Sequence, residues 1–477
     1  MFDNPRVRGL YNSLSDGWVY MNAQDNPQIP ERVSAAVSRS FRIAPLLAPP
    51  EAASGSHSRV PHPGRRIGES FVDAARTAIA DLTGARPECV ILGPSRAVLV
   101  DQLASLMSRK LRLGQEVVLS RIDDADNFRP WHRAADLYGA RVRWAEPDLA
   151  TGILPAWQFA ELITPDTAVV AVAAANSHVG TVTDVRSIAQ TLRATSPGVL
   201  VVDVTAAAPF RPIDVDALGA DILTVDVKAL GGPDVGALIF RDVDAIAATL
   251  PRHLTAAQSW GLGTTPYARG TGRRGRRGKQ VAPFESAERF PATATSTGLA
   301  QAEGADVPEV SVRARALLEA GGLSEGLLGG VSATVEHLGG LDEEARGTRR
   351  RRLKTSLPEA ERYLHGLTRH LLDGLQAQGG VHIIGVDGDA EDTSGYDHVD
   401  RLPRLSFVVA GVPVQVVHQR LLGSGVQTTV VRPGDSELFR QMGVFEQNDG
   451  AICVGLNVFN THHDVDQLLR AVASLSQ

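Results

Sequence analysis

The segments most informative about the fold lie in the middle of the chain, and there are three of them. They read Gly198-Val-Leu-Val-Val-Asp203, then Pro209-Phe-Arg-Pro-Ile-Asp-Val-Asp-Ala-Leu-Gly-Ala-Asp221, then Gly232-Pro-Asp-Val-Gly236. A short aliphatic run that stops at an aspartate is typical of a buried strand ending at the carboxyl edge of a parallel sheet. Because open α/β sheets bind ligands outside that edge, Asp203 is the first candidate site residue.

On both sides of this stretch, β-branched runs alternate with helical periods from Glu69 to about Arg241, as βαβ units do. We predict strands at Cys89–Leu92, Glu116–Ser120, Arg141–Trp144, Ala168–Ala173, Val199–Asp203, Ile222–Asp226 and Ala237–Phe240. After a helix that begins near Lys354, further strands are predicted at Val381–Ile384, Arg404–Ala410, Val426–Val431 and Ile452–Leu456. The predicted class is α/β, with a mostly parallel sheet flanked by helices and a smaller C-terminal α+β domain.

The same patterns divide the chain into four parts. We predict an N-terminal segment over residues 1–40, a large domain over 41–260, a Gly/Arg-rich loop and insertion over 261–346, and a small domain over 347–477. The loop contains the run Arg269-Gly-Thr-Gly-Arg-Arg-Gly-Arg-Arg-Gly-Lys279. We interpret this run as a solvated loop rather than a nucleic-acid site, because aromatic residues are not interleaved with its arginines.

Composition limits the classes of partner. The 477 residues are 43% hydrophobic and 21% charged, with a formal net charge of −6, which provides no general attraction to nucleic acid or to anionic membranes. Two cysteines, Cys89 and Cys453, are too few for a secreted disulfide framework. Since no apolar run approaches the ~20 residues of a membrane span, we predict a cytoplasmic protein with no membrane partner.

The central stretch resembles the core of the class V aminotransferases, and most closely the branch that contains the cysteine desulfurases. The resemblance continues through Leu14-Ser-Asp-Gly-Trp-Val-Tyr20, Asp126-Asn127, His178-Val-Gly-Thr181 and Phe459-Asn-Thr461, so it spans nearly the whole chain. These proteins are fold-type I pyridoxal-phosphate enzymes. The resemblance therefore implies a pyridoxal phosphate cofactor, a homodimer and, if the protein is active, a small amino compound as substrate.

The resemblance also implies roles for five residues around that cofactor. Asp203 would hold the ring nitrogen protonated. Ser95 and Arg96 begin the helix after the first strand, where backbone N–H groups favour a phosphate. Asp124 falls at the position of the histidine that stacks on the ring, and Ser177 falls within the counterpart of the family's Ser-Asn pair.

Lys228 is the candidate for the lysine that forms the Schiff base. Counting back from Gly232-Pro233 without gaps, however, places Ala229 at the lysine position. Lys228 reaches that position only with a one-residue deletion before it and an extra glycine after it, at Gly231-Gly232. A one-residue slip in a strand turns a side chain to the opposite face, so the register decides whether Lys228 can act.

Several family positions have changed together, and two functions remain open. The changed positions are those of Asp124, Ser177, Ala206, Ala229, Ala294, Thr429 and Cys453. The counterpart of the desulfurases' catalytic loop, Thr428–Asp435, has no cysteine, which excludes persulfide chemistry there. The protein is either a catalytically impaired pseudoenzyme that acts as a partner or regulator, or an active pyridoxal-phosphate transferase or lyase that uses Lys228. The simultaneous loss of several ligands favours the first, and no metal site is predicted.

Overall fold

We describe the computed structural model over residues 2–47, 64, 66–249, 308–319, 322–386 and 400–475. In these ranges the strands are β1 (Val19–Tyr20), β2 (Val90–Gly93), β3 (Glu116–Ser120), β4 (Arg141–Ala145), β5 (Thr167–Ala173), β6 (Val199–Asp203), β7 (Ile222–Asp226), β8 (Gly236–Phe240), β9 (Val381–Ile384), β10 (Arg404–Val409), β11 (Val426–Gln427), β12 (Thr429–Val431) and β13 (Ala451–Gly455).

The helices of the same ranges are α1 (Asn4–Arg8), α2 (Glu31–Ile43), α3 (Ile67–Thr83), α4 (Arg96–Met107), α5 (Ala125–Tyr138), α6 (Phe159–Leu162), α7 (Val185–Thr195), α8 (Val215–Leu218), α9 (Val243–Thr249), α10 (Glu309–Leu318), α11 (Glu325–Gly339), α12 (Arg349–Gln376), α13 (Val414–Gly423), α14 (Glu437–Gln441), α15 (Val444–Gln447) and α16 (His462–Ala473). None of them has the length and apolar character that crossing a membrane requires.

A seven-stranded sheet forms the centre of the large domain, in the order β2-β8-β7-β6-β5-β3-β4. β8 runs antiparallel to both of its neighbours, and the other strand pairs are parallel. The inner strands are buried along almost their whole length, since helices cover both faces of the sheet. This arrangement brings the carboxyl ends of β5, β6 and β7 to one edge, and the predicted fold class is confirmed.

The smaller sheet is antiparallel, in the order β12-β13-β10-β9. The predicted strand Val426–Val431 is in fact two strands, because the chain changes partners at Thr428. β11 pairs in parallel with β1 of the N-terminal segment, whereas β12 pairs antiparallel with β13. The N-terminal segment therefore packs against the small domain, and the Asn4 side chain donates hydrogen bonds to the carbonyls of Val458 and Asn460.

The structure differs from the sequence prediction between residues 308 and 346, where a loop or insertion was expected. Helices α10 and α11 lie there, and α11 packs closely on α2 and α3. Its glycines make this approach feasible, since a Cβ at Gly329 would come within 2.6 Å of Ser40 and one at Gly330 within 2.5 Å of Val37. The prediction for the run Arg269–Lys279 falls outside the described residues.

Candidate functional site

Asp203 lies at the carboxyl end of β6 and is 5% exposed. One carboxylate oxygen, Oδ1, accepts hydrogen bonds from the backbone N–H of Thr205 at 2.9 Å and from its hydroxyl at 2.6 Å. The other oxygen, Oδ2, accepts one from Arg96 Nη1 at 2.6 Å. Both oxygens of the carboxylate are thus engaged by groups of the chain itself.

Arg96 is the first residue of α4 and is 7% exposed. Ser95 caps this helix by accepting a hydrogen bond from the Val98 N–H. β8 passes close beneath the cap, because Gly236 has no side chain and a Cβ there would overlap the backbone of Ser95 and Arg96. Burial lowers the pKa of Arg96, but the carboxylates of Asp203 and Asp124 outweigh burial and raise it overall, so the guanidinium stays charged.

Two further candidates complete a chain of polar contacts around Arg96. Ser177 donates a hydrogen bond from its hydroxyl to Asp124 Oδ1 at 3.2 Å, and Asp124 Oδ2 lies 4.0 Å from Arg96 Nη2. Arg96, Asp124, Ser177 and Asp203 therefore lie close together, while Ser95 contributes the helix cap. Asp124 is a half-exposed carboxylate and offers no aromatic face.

Asp123, beside Asp124, is a buried group that the sequence analysis did not select. Its Oδ1 accepts the Ala173 N–H at 2.9 Å and its Oδ2 accepts the Asn127 amide at 2.6 Å, which ties β5 to α5. Burial is the main cause that raises the pKa of this carboxyl to about 8, and the neighbouring carboxylates of Asp203 and Asp124 act in the same direction. The only sequence signal was the acidic run Asp123-Asp-Ala-Asp126, in which nothing distinguishes the buried member.

Lys228 lies in a short 3₁₀ helix, Val227–Leu230, directly after β7. Its side chain is 52% exposed, and Nζ lies 3.7 Å from Asp234 Oδ1. The next residue, Ala229, lines the cavity beside Asp203. The structure thus follows the ungapped count and does not bring Lys228 to the other candidate residues.

The cavity at this sheet edge has a volume of about 70 Å³. Two of its lining residues, Arg404 and Gln24, were not selected from the sequence. Arg404 begins β10, is 4% exposed and has its guanidinium carbon 4.9 Å from the centre of the Phe210 ring. The sequence signal was a charged residue at the start of a predicted buried strand, where a solvated position was the ordinary interpretation.

Comparison with known proteins places this architecture in a family. A family model described as Aminotransferase class-V matches residues 50–254. The uncharacterized protein MT3887 of Mycobacterium tuberculosis (strain CDC 1551 / Oshkosh) is 37% identical over 477 residues, which cover 99% of each chain. A probable cysteine desulfurase of Xylella fastidiosa (strain 9a5c) is 29% identical over 218 residues, which cover 45% of this chain and 49% of that protein.

A solved structure of similar fold is the apo cysteine desulfurase from Thermococcus onnurineus NA1. It matches with a TM-score of 0.71 and 18% identity, over 100% of this chain and 98% of that chain. The resemblance inferred from the sequence motifs is confirmed. The chain belongs to the class V aminotransferase family.

Proposed function

We propose that this protein keeps the class V aminotransferase scaffold without Schiff-base chemistry and acts as a pseudoenzyme, a non-catalytic partner or regulator. The observation that carries the proposal is the 2.6 Å contact between Arg96 Nη1 and Asp203 Oδ2. Pyridoxal chemistry needs a carboxylate at the ring nitrogen. Here that carboxylate is buried against a guanidinium, so it is not available to a ring.

Two further features of the site argue in the same direction. Ala229 lines the cavity while Lys228 faces Asp234, so no lysine amine lines the cavity within the described residues. The cavity of about 70 Å³ is also small, since pockets for drug-sized ligands measure roughly 300–1,000 Å³. The residues present therefore do not fit pyridoxal phosphate.

The family relationship also supports a homodimer, because class V aminotransferases form their active sites at a dimer interface. We also propose the cytoplasmic location that the two cysteines and the lack of a long apolar run predict. Sedimentation at tens of micromolar protein tests the homodimer, and a monomer there would contradict it.

The decisive experiment is purification of the full chain in the presence of pyridoxal phosphate, followed by an absorbance spectrum, borohydride reduction and mass analysis. We expect a colourless protein with no covalent adduct and no stoichiometric binding in a micromolar titration. The double variant Arg96→Thr/Ala229→Lys is the matched control, because it frees Asp203 and places a lysine at the ungapped position. An adduct trapped on Lys228 of the wild-type chain would overturn the proposal and restore the active alternative.

A further inference from the structure

Arg404 is a buried cation whose charge is not balanced within the described part of the chain. Its Nη1 donates hydrogen bonds to the carbonyls of Pro403 at 3.2 Å and Leu456 at 2.9 Å. No carboxylate of the described residues lies within ion-pairing distance, and Asp25 acts on it only from farther away. Burial lowers the pKa of Arg404 to about 10, so the guanidinium is still charged at neutral pH.

Gln24 lies beside Arg404, and both polar atoms of its amide are buried without a hydrogen-bond partner among the described residues. The two side chains meet above Gly455, which pairs with Arg404 across β10 and β13. A Cβ at Gly455 would come within 3.1 Å of Arg404 Nη1 and would overlap Gln24 Oε1. The glycine thus opens a space in which a guanidinium and an unsatisfied amide both face the cavity.

Of the two carboxylates that line the cavity, Asp203 is matched closely by a cation and Asp124 only loosely. Arg96 neutralises Asp203 at 2.6 Å, and its second nitrogen lies 4.0 Å from Asp124. Arg404 is therefore the cationic end of the cavity, and Asp124 is the acidic end. An unpaired buried charge is costly, so a small anion at the Arg404 end would be stabilised there.

We propose that this cavity binds a small carboxylate non-covalently, through the unoccupied N–H groups of Arg404 and the amide of Gln24. The planar fork of a guanidinium matches a carboxylate with two parallel hydrogen bonds. A cavity of about 70 Å³ limits the ligand to a few heavy atoms. The resemblance implies that the family's carboxylate-binding arginine would stand at Cys453. That residue pairs with Ser406, whereas Arg404 pairs with Gly455.

This inference rests on the proposed function in one respect, namely that pyridoxal phosphate does not fill the cavity. It specifies small carboxylates as the class of ligand that the proposed regulator binds. A small acid that binds the folded state and not the unfolded state would stabilise the protein, and the gain would rise with the logarithm of the acid concentration above the Kd.

The test is calorimetric titration of the full chain with sodium acetate, and thermal unfolding in acetate against sodium chloride at equal ionic strength. We expect one saturable site and an acetate-dependent rise in Tm. Gln24→Glu places a carboxylate beside Arg404, so it should weaken acetate binding by about tenfold or more. The same variant should unfold at an equal or higher temperature without acetate, which a merely structural role of Gln24 would not produce.

Gln419→Glu makes the same charge change on the exposed face of α13 and should leave acetate binding unchanged. Tighter binding of glycine than of acetate would support the site and place an ammonium near Asp124. No saturable acetate effect, equal binding by Gln24→Glu, or binding of phosphate but not acetate would overturn the inference. If pyridoxal phosphate binds stoichiometrically, the proposed function fails independently, because the acetate titration is made without it.

Discussion

Replacing Arg96 by alanine should lower the free energy of unfolding by about 2–4 kcal/mol. Removing one partner of a buried ion pair costs about 3–5 kcal/mol, because the other charge stays buried and uncompensated. Asp203 keeps two hydrogen bonds from Thr205, which favours the lower half of that range. The loss of a positive charge at the N-terminus of α4 returns about 0.3–1 kcal/mol through the helix dipole.

Urea unfolding, followed by the fluorescence of the buried Trp131, measures this effect. The double variant Arg96→Ala/Asp203→Asn should be less destabilised than the two single variants added together, because it leaves no unpaired charge. Arg362→Ala is the control, since its pair with Glu359 is exposed and should not shift the midpoint measurably. If Arg96→Ala moves the midpoint no further than Arg362→Ala, the buried pair does not hold the site together and the reasoning is wrong.

Four further variants test other parts of the structure. Gly330→Val should lower the free energy of unfolding by about 1–3 kcal/mol, because it overpacks α11 against α2. Gly366→Ala, at an exposed position of α12, should raise it by about 0.5–1 kcal/mol. Equal urea midpoints for the two variants would contradict the packing argument. Burial raises the pKa of Asp123 from 3.8 to about 8, so its stabilising contribution is complete below pH 3.8 and is lost as the pH rises through 8. Asp123→Asn should therefore flatten the dependence of Tm on pH between those values, and an unchanged slope would refute this assignment. Lys228→Ala should change neither the midpoint nor the absorbance spectrum, because the side chain is half exposed and its ion pair is at the surface.

The large sheet could be predicted because burial on both faces demands nearly continuous apolar strands, which few other structures require. Strands β3, β6 and β7 have the predicted bounds for this reason. Helix α11 was missed because its glycines lower helix propensity locally. These glycines allow α11 to approach α2 closely. That contact joins segments far apart in the sequence, so a local sequence pattern does not predict it.

The candidate site likewise contains residues that local sequence patterns predict and contacts that they do not. Asp203 and Arg96 could be selected because each stands beside a recognisable element, the end of a strand and the start of a helix. Their direct contact could not be predicted, since it depends on where two loops meet at the sheet edge. Arg404 and Gln24 come from distant segments that only the pairing of the N-terminal segment with the small domain brings together.

Charge balance supports the proposal that this scaffold folds without the family's cofactor. A carboxylate buried at the end of β6 needs a cation, and in a pyridoxal site the protonated ring nitrogen provides it. Here Arg96 takes that place from within the chain, so folding of the sheet edge does not depend on a bound ring. Arg404, by contrast, is a buried cation that bonds two carbonyls but has no carboxylate partner within the described residues. Under the proposed function, the buried guanidinium of Arg404 would still favour an anion in the cavity, which Ala229 lines in place of a lysine.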